Sequence, residues 1–181
     1  VRSSAASDVY KRQRLDIIKW INQILSWEPN ARIVLHGVSM GAATVLMASG
    51  EDLPENVKAV IADCGYTSEW DEFQREADTL HIPWFPVLNA TSVLSKVRDG
   101  YDFKQASALA QVKKSRIPTL FIHGSSDELV PYSMLGELYA AAACEKEELT
   151  VEGAGHALSS SVAPTLYWRT VEDFIAKYLD R

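Results

Sequence analysis

The chain has 181 residues with a formal net charge of −6, 47% hydrophobic and 23% charged side chains. That acidic balance, with a pI near 5.2, argues against a nucleic-acid partner, which needs a basic face. No apolar run approaches the ~20 residues of a membrane span, and the length suits one domain with a sizeable core.

Residues 1–13 are set apart first. Ser3 to Gln13 reads as the in-frame translation of a sequencing adaptor, an artefact outside the domain, and it lacks the apolar centre of a signal peptide. The domain is expected over residues 14–181, as a metagenome-style fragment that lacks an N-terminal part. Arg14 to Trp27 predicts a helix, with Ile17, Trp20, Ile21, Ile24 and Leu25 forming a stripe that covers a sheet.

Ile33-Val34-Leu35 predicts a buried strand, and Ala42 to Met47 a helix. Between them stands Gly37-Val38-Ser39-Met40-Gly41, a G-x-S-x-G sequence in the strand–turn–helix setting that gives it chemical meaning. A serine on such a strained turn projects its hydroxyl off the end of the sheet, and bulkier neighbours would clash there. The Met40 N–H then sits at a helix N-terminus, where it can stabilise a developing oxyanion.

Val57 to Ala62 predicts the next strand, ending at Asp63. Residues 66–114 form an insertion, with two helical stretches around His81-Ile82-Pro83-Trp84-Phe85-Pro86-Val87-Leu88. The prolines break the helix and the aromatics offer apolar surface. Trp84 and Phe85 either cover the sheet or line an acyl pocket over Ser39, and His81 is a further pocket candidate. Ile117 to Ile122 is a third strand, opening into His123-Gly124-Ser125-Ser126-Asp127, with a helix over Pro131 to Cys144. Asp127 thus lies on a loop beyond a strand's C-terminal end, where open α/β sheets build their sites. Glu148 to Val151 is a short strand leading to Gly153-Ala154-Gly155-His156, whose glycines let the loop turn inward. Pro164 to Leu179 closes the chain as a helix with Tyr167, Val171, Phe174, Ile175 and Tyr178 on one face. The alternation predicts an α/β fold with a mostly parallel sheet.

A serine hydroxyl needs a base to take its proton, and the base needs a carboxylate to orient it. Ser39, then Asp127, then His156 is the chain order this architecture uses. Asp63 is the rival acid. His36 and His123, each beside a strand end, read as packing or hydrogen-bonding residues. Cys64 and Cys144 lack metal-ligand spacing and read most simply as free, buried thiols, with a disulfide between them as the alternative. No His, Asp or Glu cluster has metal spacing either, so no metal is expected.

With H-G-x-x-D-x-x-V-P around Asp127 and G-A-G-H at His156, the chain resembles the α/β-hydrolase superfamily, in its bacterial, serine aminopeptidase-like and esterase-like branch. The resemblance runs from about Arg14 to Arg181. It implies the C-terminal half of an α/β-hydrolase fold, with residues 66–114 as a helical lid. It further implies Ser39 as nucleophile, Asp127 as acid and His156 as base, acting on a small-molecule acyl substrate without a cofactor. The family's second oxyanion donor belongs to a loop upstream of the strand that leads into this G-x-S-x-G turn, the nucleophile elbow. No residue here is assigned to it, and the chain by itself is expected to be inactive. Ester, peptide and thioester substrates stay open, with Glu69, Asp71 and Glu72 available to hold a substrate ammonium, and so does oligomeric state. A non-catalytic binding protein on the same fold is the alternative of a different class.

Overall fold

The computed structural model describes residues 4–81, 85, 89–94 and 106–179, with the backbone alone for residues 4–12, 69 and 76. Helix α1 (Ser4–Trp27) leads into β1 (Ile33–Val38), α2 (Met40–Ser49), β2 (Val57–Asp63) and α3 (Glu69–Thr79). After a helical stretch at 89–94 come α4 (Ala108–Val112), β3 (Thr119–Gly124), α5 (Ser133–Ala141), β4 (Lys146–Val151), α6 (Ser159–Val162) and α7 (Pro164–Leu179). Among the described residues no helix is long and apolar enough to cross a membrane.

The strands form one parallel sheet in the order β1-β2-β3-β4. β3 is buried along its whole length and β2 nearly so, as parallel strands covered on both faces must be. Their side chains alternate between two cores with a period of two. Val60, Ala62 and Phe121 face a core shared with Ile21, Leu46, Leu135 and Leu138 from α1, α2 and α5. Ala59, Ile61, Leu120 and Ile122 face the other, closed by Tyr167, Val171, Phe174 and Tyr178 of α7. Each Val, Leu, Ile or Phe side chain among them stabilises the fold by about 1.5–3 kcal/mol on full burial.

Register positions the site. Val38 pairs with Asp63, Asp63 with Ile122, and Gly124 with Val151. The chain therefore leaves β1, β2, β3 and β4 at the same end of the sheet.

Helix α7 spans the expected residues, while other elements differ at their ends. β3 begins at Thr119, because Pro118 has no N–H to donate; its carbonyl accepts from Val60 N–H at 2.9 Å. The helix after the acid loop stops at Ala141, where Ala142 turns extended (φ −64°, ψ 130°). Helix α1 already begins at Ser4, within the segment set apart above. Trp20 corrects the expected stripe. It is 64% exposed, while Ile21 is buried and Ile17, Ile24 and Leu25 pack against the core. One residue is about 100° of helical rotation, so Trp20 falls beside the stripe that Ile21 centres.

Between β2 and β3, the described ends of the insertion are pinned together. Ser68 and Ser107 form an antiparallel bridge, and the Leu109 N–H donates to the Thr67 carbonyl at 3.0 Å. Ser68 also caps α3: its Oγ accepts from Asp71 N–H at 3.1 Å and donates to Asp71 Oδ2 at 2.6 Å. Trp84 lies outside the described residues.

Candidate active site

Ser39 sits between β1 and α2 with φ 55° and ψ −118°, a conformation non-glycine residues rarely adopt. Its N–H donates to the Asp63 carbonyl at 2.8 Å, and its own carbonyl accepts from Ala43 N–H at 3.1 Å. The turn is tight enough to require Gly37, since a Cβ there would stand 2.2 Å from the Gly41 carbonyl oxygen. A Cβ on Gly41 would meet open space, so only the first of the two elbow glycines is sterically forced. Met40 opens α2, and the first N–H groups of a helix have no intrahelical acceptor.

Asp127 lies on the loop after β3 with its side chain fully buried. Its Oδ1 accepts from Leu129 N–H at 3.0 Å and Val130 N–H at 2.9 Å. That leaves Oδ2 for two imidazoles: His156 Nδ1 at 2.9 Å and His123 Nε2 at 3.3 Å. His123 is buried and its Nε2 donates to the Val130 carbonyl at 3.0 Å, so it braces the loop. On its other side, His156 Nε2 meets Ser39 Oγ at 2.8 Å. With Nδ1–H donating to Asp127, the network assigns Nε2 as the lone-pair nitrogen that accepts from Ser39.

The acid and histidine loops hold each other. Ser125 N–H donates to the Val151 carbonyl and Ser126 N–H to the Ala154 carbonyl, both at 3.0 Å. Gly153 N–H reaches Ser125 Oγ at 2.9 Å. Gly124 permits this approach, because a Cβ on it would lie 2.2 Å from the Ala154 oxygen.

Asp63 is placed elsewhere. Its buried carboxylate accepts from Ser159 Oγ at 3.1 Å and from the Tyr167 hydroxyl. Burial pushes its pKa above the ordinary carboxylate value, against the pull of those two donors. Tyr167 OH in turn meets His36 Nε2 at 3.0 Å. Donating to Asp63, it accepts the His36 N–H, and loss of solvation lowers the His36 pKa. The structure therefore brings Ser39, His156 and Asp127 into one hydrogen-bonded line, and gives Asp63 and His36 to a separate network that braces α7.

The remaining candidates divide. Asp71 is occupied in capping α3, accepting also from Thr67 Oγ1 at 2.8 Å. His81, at the end of α3, and Phe85 are exposed. Cys64 and Cys144 are both free, the first buried and the second partly so. Sequence reading missed the position of Cys64. It follows β2 at φ 47°, and its Sγ lies within 4.8 Å of ligand atoms of both Asp127 and His156. No local pattern signals this, because the three residues meet only through the aligned ends of β2, β3 and β4. Burial, with the nearby carboxylates of Asp63 and Asp127 adding to it, pushes the Cys64 thiol up to about 12.

This geometry can take a proton from a hydroxyl and hold the resulting imidazolium against a buried carboxylate. Known proteins share its frame. Residues 8–181 match the prolyl oligopeptidase family. The chain is 30% identical over 179 residues to the uncharacterised Bacillus subtilis protein YqkD, covering 96% of this chain and 58% of that one. It is 31% identical over 157 residues to the alpha/beta hydrolase domain-containing protein WAV2 of Arabidopsis thaliana, covering 82% of this chain and 48% of that one. The chain thus spans about half the length of these relatives. Its fold resembles that of a Pyrococcus furiosus esterase, with a TM-score of 0.72 and 19% identity, over 96% of this chain and 65% of that one. A Pyrococcus horikoshii acylaminoacyl peptidase gives 0.67 and 18%, over 93% of this chain and 28% of that one.

Proposed function

The chain belongs to the prolyl oligopeptidase family of α/β-hydrolases, and from that premise we propose that it carries the catalytic apparatus of a serine hydrolase cleaving an ester or related acyl bond. The observation that carries this reading is the unbroken line Ser39 Oγ–His156 Nε2 at 2.8 Å and His156 Nδ1–Asp127 Oδ2 at 2.9 Å. Ser39 Oγ attacks the carbonyl carbon while His156 Nε2 takes its proton. The Met40 N–H, at the positive end of α2, stabilises the oxyanion. Collapse breaks the acyl bond, His156 returns the proton to the leaving group, and an acyl-Ser39 intermediate remains. Water, deprotonated by His156, then attacks the acyl carbon, and the acid leaves as His156 returns that proton to Ser39 Oγ. Asp127 holds the imidazole in the required tautomer and stabilises the imidazolium.

A second reading is favoured by the family match: the scissile bond is the peptide bond of an acylated or free peptide. The same residues serve either substrate, and the leaving group alone differs. Thioester hydrolysis and acyl transfer stay within the same chemistry.

Fluorophosphonate labelling tests the reading, since the reagent modifies only an activated serine. Label on Ser39, abolished by Ser39→Ala, is the expected result. An unlabelled but folded protein would instead point to a binding protein on a hydrolase fold. Turnover of nitrophenyl esters set against acyl-dipeptides decides between the two substrate classes.

A further inference from the structure

Acyl transfer as proposed makes no use of the Cys64 thiol, yet this side chain is buried against the reacting groups. Cys64 Sγ, a carboxylate oxygen of Asp127 and a ring nitrogen of His156 all lie within 4.8 Å of one another. The three ligand types come from three separate loops, after β2, β3 and β4, that the sheet register brings to one place. Cys64 and Asp127 are buried, and His156, with its side chain 20% exposed, is the member of the cluster that meets solvent.

Distances suit a small four-coordinate cation. Bonds of about 2.3 Å to sulfur and about 2.0 Å to imidazole nitrogen, at the tetrahedral angle, set those two atoms roughly 3.5 Å apart. Asp127 Oδ2 and His156 Nδ1 stand 2.9 Å apart and need open by only a few tenths of an ångström to admit an ion. The sulfur has at most roughly 1.3 Å to close, the 4.8 Å limit less that tetrahedral spacing.

We propose that Cys64, His156 and Asp127 form a binding site for one thiophilic divalent cation, of the Zn²⁺ or Cd²⁺ class, and that its occupancy withdraws His156 from Ser39. The thiolate sets the preference over Mg²⁺ and Ca²⁺, which take oxygen ligands. On binding, the thiol proton leaves to solvent as the sulfur–metal bond forms. If the cation takes Nε2, the lone pair facing Ser39 is used directly. If it takes Nδ1, the ring proton moves to Nε2, which then no longer accepts from the serine. The site stands on geometry alone; its consequence for Ser39 rests on the nucleophile assignment above.

Binding and consequence are measured separately. Cd²⁺ is titrated into the purified protein, with thiolate-to-metal charge-transfer absorption reporting sulfur ligation and calorimetry the stoichiometry. The expected result is one ion per chain, with the absorption lost in Cys64→Ser and retained in Cys144→Ser. His156→Ala weakens binding by about tenfold or more, and serves as the deciding variant should Cys64→Ser not fold. Absence of binding, absorption that survives Cys64→Ser, or an affinity indifferent to His156→Ala would each overturn the site. In the second arm, Cd²⁺ slows fluorophosphonate labelling of Ser39, and a chelator restores it. Unchanged labelling with the ion bound would overturn the withdrawal of His156. A protein that binds Cd²⁺ yet never labels in metal-free buffer would retain the site and refute the hydrolase reading instead.

Discussion

The Ser39 N–H donates to the Asp63 carbonyl at 2.8 Å. Asp63 therefore holds the turn around Ser39 through its backbone while its carboxylate holds Ser159, three residues beyond His156. Both halves of the site lean on the end of β2, yet the carboxylate against the imidazole is that of Asp127. A group that fixes position and a group that fixes the proton are thus separable by mutation.

Asp127→Asn should lower kcat by about 10⁴-fold, because an amide in place of Oδ2 no longer selects the Nδ1–H tautomer. Asp63→Asn keeps an acceptor for Ser159 and should cost chiefly stability. Steady-state kinetics and denaturant midpoints on both variants separate the effects. The opposite pattern would move the acid to the end of β2.

Ser39→Ala should reduce ester turnover by about 10⁴-fold or more with the fold retained. The backbone at φ 55° and ψ −118° adds a second expectation. Ser39→Gly should be equally inactive but more stable than Ser39→Ala by about 1 kcal/mol or more, because glycine relieves that conformation. Equal melting of the two variants would mean that the turn carries no strain.

The raised pKa of Asp63 fixes a direction for stability against pH. In the fold this carboxyl binds its proton more tightly than in the unfolded chain, where the ordinary value is 3.8. Its contribution is fully present below that value and is lost as pH rises through the higher folded pKa. Asp63→Asn never ionises and escapes the loss. The stability of wild type minus variant should therefore fall from acid pH upward, then level off. A difference that grows with pH would show that Ser159 and Tyr167 outweigh burial.

What was legible in the residues was what is local. The turn around Ser39, the loop around Asp127 and the loop around His156 each declare themselves within a few residues, and strand alignment brings all three to one end of the sheet. Helix α7 was readable residue by residue, because its buried face is continuous. Trp20 misled because hydrophobicity marks it as core, while its 64% exposure follows from helical phase. The Ser68–Asp71 cap was readable as S-x-x-D and would have removed Asp71 from the substrate-binding candidates. Cys64 could not be placed at the site from sequence, since its neighbours there come from loops after two other strands.

The elbow glycines should differ in their response to alanine. Gly37→Ala forces a Cβ to within 2.2 Å of a backbone oxygen, which neither rotamers nor flexible side chains can relieve, and should destabilise by about 3 kcal/mol or more. Gly41→Ala enters open space within a helix and should stay within about 1 kcal/mol of wild type. Chemical denaturation of both variants provides the comparison. Similar losses would mean that the turn is looser than these distances require.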